Sequence, residues 1–127
     1  MPLANSNIVA FAPTRDAVRA VIFYRDTLGL TLVNQDNFAA VFDANGIMLR
    51  VTPVPVLTPH PFTLLGWNVT DIAATARELA AKGVAFERYP GIVHDELGVW
   101  TAPGGAKVAW FKDPDGNLLS LTEFTSR

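Results

Sequence analysis

The chain has no cysteine, which excludes disulfide staples, thiolate zinc sites and cysteine nucleophiles in one step. Histidine is nearly as scarce, with His60 and His94 the only two. Charge is thin: 17% of residues are charged and the net charge is −2. Lysine and arginine nowhere form a cluster, so neither a nucleic-acid backbone nor an anionic membrane surface is an expected partner. No stretch approaches the roughly 18 uninterrupted apolar residues of a membrane span. The opening "MPLANSNIVAF" has no basic segment leading into a long apolar run, so no secretory signal is read there. The expectation is a cytoplasmic protein.

What the chain does have is apolar residues, half of its 127, enough for one domain with a core of its own. "NIVAFA" (7–12) reads as a strand, and "PTRD" leads into a helix over "AVRAVIFYRDTLGL". Thr14 is suited to cap that helix, Asp16 to its first turn and Gly29 to a left-handed end. Val18, Val21 and Ile22 recur near helical spacing and are expected on its buried face. "LTLVNQ", "FAAVFDA" and "IMLRVTPV" follow as strands, the last two joined by Asn45-Gly46, a strong hairpin signal.

Pro53, Pro55, Pro59 and Pro61 then crowd into a linker, 53–61, that suits neither a helix nor a central strand. After it the order repeats. "FTLLGWNV" is a strand, Asp71 an N-cap, and "IAATARELAAK" a helix burying Ile72, Ala76, Leu79 and Ala80 before Gly83 ends it. "VAFERY" and "VWTA" read as strands. "AKVAWFK" and "NLLSLTEF" form a hairpin across Asp113-Pro114-Asp115-Gly116, where proline pre-sets one φ and glycine permits a positive one. The pattern is βαβββ twice, module 1 over about 5–52 and module 2 over about 62–124, within one domain, 1–127. The fold class is α+β: two βαβββ modules forming a cup-shaped mixed β-sheet with helices on the outer face.

Two segments carry a family resemblance. "AVIFYRDTLGLTL" and "VAWFKDPDGNLLSLTEF" resemble the signature segments of the glyoxalase, bleomycin-resistance and extradiol-dioxygenase proteins, the vicinal oxygen chelate superfamily. Metal-using members hold one divalent ion on His or Glu side chains from the first and last strands of each module. The resemblance lays those positions on Val9, near Arg50, near Leu64, and on Ser120. Val9 and Leu64 have no donor atom, Arg50 is a permanent cation, and a lone serine hydroxyl is a weak ligand. Neighbouring positions add only the hydroxyl of Thr63. No metal and no other cofactor is expected. The resemblance also implies a homodimer.

Period-2 alternation says which residues share the concave face. Val9 brings Phe11, Arg50 brings Met48 and Thr52, Leu64 brings Gly66 and Asn68, and Ser120 brings Leu118 and Thr122. By comparison with glyoxalase-type chains, Val108 and Trp110 line the same face. Trp67 alternates to the helix side. Phe38 and Phe42 share a face, but the sequence does not say which. The pocket residues expected are therefore Phe11, Met48, Arg50, Leu64, Trp100, Trp110 and Ser120, a mainly apolar lining with an aromatic wall.

Arg50 is the only charge in "IMLRVTPV". It is either an anion clamp or an outward-facing or internally paired residue. His60, between two prolines, reads as a surface residue. His94 lies beside Asp95 and Glu96 in a loop able to reach the pocket mouth, and is either solvated or a proton carrier. Tyr24 reads as a half-buried phenol that fixes its helix. Two functions follow. One is a metal-independent protein that binds a small aromatic or amphipathic molecule. The other is a metal-independent isomerase or lyase, with Arg50 stabilising an anion and His94 moving the proton.

Overall fold

The computed structural model describes residues 2–125. The chain divides between Thr58 and Pro59 into two compact units, so the division falls inside the proline-rich stretch.

The first unit holds β1 (Val9–Thr14), α1 (Ala17–Ile22), β2 (Thr31–Gln35), β3 (Ala40–Ala44) and β4 (Ile47–Pro53). The sheet order is β1-β4-β3-β2, with β1 and β4 parallel and the other two pairings antiparallel. The second unit repeats it with β5 (Leu65–Asn68), α2 (Ile72–Ala81), β6 (Trp100–Thr101), β7 (Lys107–Lys112) and β8 (Leu118–Glu123). Its order is β5-β8-β7-β6, with β5 and β8 parallel. These are two four-stranded mixed sheets with two helices, an α+β fold in which the same unit occurs twice. Among the described residues no helix is long and apolar enough to cross a membrane.

In each sheet alternate residues bury against the unit's helix. Ala12, Phe42, Leu49 and Val51 do so in the first, with Tyr24 packed 5.9 Å from Phe42, centroid to centroid. Ala109, Phe111, Leu119 and Leu121 do so in the second, beneath Ile72, Ala76 and Leu79 of α2. Trp67, paired in register with Leu121, is on this helix side as expected. Tyr24 is fully rather than half buried.

Local chemistry sets the element ends. Asn45 and Gly46 both take positive φ, 52° and 91°, the geometry of a two-residue turn whose twist matches its strands. Asp71 caps α2 by accepting from the Ala74 amide at 3.0 Å, while Glu123 Oε1 on β8 accepts from the Ile72 amide at 3.0 Å. One carboxylate thus ties the last strand to the first turn of the helix. Gly29 and Gly83 follow their helices with φ of 78° and 94°, as expected of left-handed terminators.

Several expectations change. The first strand begins at Val9 and reaches Thr14. The cap of α1 is Asp16, not Thr14: Asp16 Oδ1 accepts from the Arg19 amide at 3.2 Å. Thr14 is buried in the strand end, its hydroxyl accepting from the Asp16 amide and donating to the Asp16 carbonyl. The α-helix stops at Ile22 and passes into a wider π turn, Phe23–Thr27, closed by the Leu28 amide on the Phe23 carbonyl at 2.9 Å. Its buried stripe is Ala20, Val21 and Tyr24, so Val18 and Ile22 face water. Ala12, Ala20 and Ala40 are all buried. Ala80 of α2, by contrast, is exposed.

"VAFERY" forms no full strand. It touches the sheet through one bridge, Phe86 to Phe111, and through the Glu87 amide on the Trp110 carbonyl at 2.7 Å. Phe42 is fully buried, whereas Phe38 is exposed in the turn before β3, so the two share no face. Pro53 closes β4 within the sheet and does not begin the linker. It lies at the strand end, where a missing amide costs least.

The β7–β8 turn rests on a carboxylate as much as on proline and glycine. Asp113 Oδ1 accepts from the Asp115 and Asn117 amides, each at 2.9 Å, and Oδ2 accepts from Asn117 Nδ2 at 2.9 Å. Asp113 and Asn117 are both buried. Asp113→Ala removes these acceptors from a buried turn, so urea unfolding should show a loss of about 2–4 kcal/mol. Asp113→Asn should lose less, because one oxygen still accepts. A loss no larger than that of an exposed surface substitution would show that proline and glycine suffice.

Candidate functional site

The face of each sheet away from its helix is set by register. In the first unit Phe11, Arg50 and Val41 stand side by side across β1, β4 and β3, with Val9, Met48 and Asp43 as the next row. Phe11 is 57%, Met48 43% and Val9 41% exposed, so this face presents apolar surface to its surroundings. Arg50 between them is half-buried.

In the second unit one row runs Trp100, Val108, Thr122, Asn68 and the next Trp110, Ser120, Gly66. Leu118 and Lys112 pair beyond them, and the Leu64 amide donates to the Leu118 carbonyl at 2.8 Å. Leu64 thus lies at the strand entry, partly exposed. Ser120 is buried on this face, its Oγ turned to Gly66, where a Cβ would come within 2.8 Å of it. The glycine lets the serine hydroxyl fill the space between the two parallel strands.

Trp100 and Trp110 stack at 5.9 Å with 28° between ring planes. Tyr89 and His94 meet Trp110 edge-on at 5.6 and 6.2 Å. Offset and edge contacts of this kind match the ring quadrupoles and add about 0.5–1.5 kcal/mol per pair to simple burial. Each of the four side chains is half-buried, so the cluster is neither sealed core nor open surface. Burial first, and then the charge of Glu87, raises the Tyr89 phenol above its ordinary pKa, so at neutral pH it is an uncharged hydroxyl.

His94 is held by the backbone on both sides. The Tyr89 amide donates to Nε2 at 3.1 Å and Nδ1 lies 2.9 Å from the Gly98 carbonyl. A nitrogen that accepts an amide proton carries none, so the tautomer that satisfies both contacts has its proton on Nδ1. The imidazole thereby fastens the 89–98 loop, which also bridges to the sheet through His94 and Trp100. Asp95, its sequence neighbour, turns the other way: Oδ1 accepts from the Leu97 and Val99 amides, each at 2.9 Å.

Two recesses lie within the second unit. One of about 400 Å³ is bounded by Pro59, His60, Pro61, Tyr89, Lys112 and Leu118 among others. The other, about 450 Å³, runs along the 91–95 segment to Trp100. Both fall in the size range of small-molecule sites. His60 stacks on Phe62 at 5.0 Å with 9° between planes and borders the first recess.

The expected site residues therefore fall into two groups. Phe11, Met48 and Arg50 share the open face of the first sheet; Trp100, Trp110 and Ser120 share that of the second, with Leu64 at its edge and His94 against both tryptophans' strands. Sequence reasoning missed Tyr89, assigned to a strand; an aromatic directly before a Pro-Gly turn was the available sign. Val9 and Leu64, two of the positions on which the resemblance lays metal ligands, have side chains with no donor atom. Among the described residues no group of three His, Asp or Glu side chains could hold an ion.

A family model for the Glyoxalase/Bleomycin resistance protein/Dioxygenase superfamily matches residues 7–121. An uncharacterized protein, YraH of Bacillus subtilis strain 168, is 32% identical over 122 residues, which covers 84% of this chain and 88% of that protein. A bleomycin-binding protein solved in complex with bleomycin superposes with a TM-score of 0.71 at 24% identity, covering 95% of this chain and all of that one. A lactoylglutathione lyase from Agrobacterium tumefaciens superposes with a TM-score of 0.73 at 18% identity, over 94% of this chain and 95% of that one. At these identities the two structures speak for the fold alone. The family match, spanning most of both repeated units, carries the assignment: the chain belongs to the glyoxalase/bleomycin resistance/dioxygenase superfamily.

Proposed function

We propose that this protein binds a small aromatic or amphipathic molecule on the open sheet face, without a metal ion, as a cytoplasmic homodimer. The observation that carries the reading is the Trp100–Trp110 stack, half-buried and flanked by Tyr89 and His94. Rings held edge and face by their neighbours form a preorganised wall, so a planar ligand meets it with little ordering cost. The bleomycin-binding protein of the same fold supports a binding role by analogy. Apolar side chains left in water on a single chain, Val18, Ile22 and Phe38 among them, support self-association.

An isomerase or lyase would need a proton carrier. His94, the residue best placed in sequence, has both ring nitrogens occupied by backbone groups, which favours a bracing role. In His94→Ala the Tyr89 amide loses its acceptor, and its hydrogen exchange should accelerate well beyond that of amides in β7. Unchanged exchange would free His94 for other work.

Titration with planar aromatic amphiphiles should quench or shift tryptophan emission in the wild type. Trp110→Ala should weaken that binding about tenfold or more, the loss of roughly 1.5–3 kcal/mol of aromatic burial. A panel that leaves the emission untouched, or equal affinity in Trp110→Ala, overturns the reading. Thermal unfolding with equimolar Ni²⁺, Zn²⁺, Mn²⁺ or Mg²⁺ should show no shift in Tm; stabilisation by any one of them would point to a ligand set other than the four strand positions.

A further inference from the structure

We propose that Arg50 is an anion-recognition residue on the open face of the first unit's sheet, so that a molecule bound there carries a carboxylate or phosphate on an apolar body. A half-buried guanidinium is costly unless its charge is matched. Arg50 makes no ion pair and no side-chain hydrogen bond among the described residues.

Its own unit is not short of candidates, yet each is engaged elsewhere. Residues 1–58 contain four carboxylates, Asp16, Asp26, Asp36 and Asp43, and no glutamate. Asp16 caps α1, and Asp26 pairs with Arg25 at 2.8 Å. Asp36 accepts from the Phe38 and Ala39 amides at 2.7 and 3.0 Å. Asp43 shares the open face and stands diagonal to Arg50, but its Oδ1 accepts from the Gly46 amide at 2.7 Å within the hairpin turn. Asp36 does feel Arg50. The Phe38 and then the Ala39 amide hold its carboxyl below the ordinary range, burial opposes them, and the arginine's charge adds the smallest push. A weak field across that gap is not a partner.

The surroundings define the rest of the ligand. Phe11 and Val41 stand opposite Arg50 on the flanking strands, and Met48 and Thr52 lie two residues away along β4. A forked donor with apolar neighbours on three sides fits an anion whose two oxygens meet the guanidinium and whose hydrocarbon covers Phe11 and Met48. Lysine, a point charge without the fork, would serve less well.

The test compares isosteres. Calorimetry of the wild type with 2-naphthoate, 2-naphthyl phosphate and the neutral 2-naphthamide should give at least about tenfold tighter binding to one or both anions than to the amide. The tighter anion identifies the head group. Arg50→Gln should remove that preference, and Arg50→Lys should keep part of it. Thermal unfolding of both variants checks that they are folded. Equal binding of anions and amide by the wild type overturns the anion proposal and leaves the binding reading intact. A preference that survives in Arg50→Gln assigns the charge recognition to another cation and also overturns it. No binding of any of the three overturns it as well.

Discussion

The parallel pairing of the first and last strand in each unit is the constraint from which the site follows. β1 lies beside β4 and β5 beside β8, so the chain leaving the first strand must cross over before the antiparallel strands can form. A helix makes that crossing, and it can lie on only one face of the sheet. Leu49, Val51 and Phe42, or Leu119, Leu121 and Phe111, are buried there. Alternation then commits their neighbours to the opposite face: Met48 and Arg50 in one unit, Leu118, Ser120 and Trp110 in the other. A side with no helix of its own unit above it is a consequence of topology, and its chemistry is free to vary without loss of core.

That freedom is visible at Ser120. Between Trp110 on β7 and Gly66 on β5, the position takes a small hydroxyl, and the glycine leaves room for it. Phe11, Met48 and Arg50 lie on the open face of the first sheet, and the tryptophan pair lies on that of the second.

Much of the fold was legible because its signals were local. Asn45-Gly46, the Asp71 cap and the left-handed glycines at 29 and 83 act within a few residues, and each falls where expected. The alternation that put Trp67 on the helix side needed only period 2. What escaped depended on distance. Val18 and Ile22 are apolar at helical spacing, but Ala20 and Tyr24 are the ones buried, a choice that helical spacing alone does not make. "VAFERY" has strand composition, yet its pairing is preempted: Phe86 packs over Gly98, where a Cβ would meet it at 2.8 Å, and the chain then turns around His94. Asp95 and Glu96 beside His94 in sequence suggested a charged cluster. In space the imidazole meets two backbone groups and a tryptophan edge instead.

Acidic residues show how a chain with so little charge uses it. Asp16 and Asp71 cap helices, Asp36, Asp43 and Asp113 close turns, Asp95 orders the loop, and Glu123 reaches the first amide of α2. Each accepts from backbone amides that would otherwise lack partners, a role in which the negative charge strengthens the bond and fixes the local path. Carboxylates committed in this way are poor counter-ions, because leaving the turn would strand the amides they satisfy. The two kinds of charge are therefore not symmetric here: the acids maintain the fold, whereas Arg50, on a strand that needs no charge to fold, can be matched by something outside its own unit's acids.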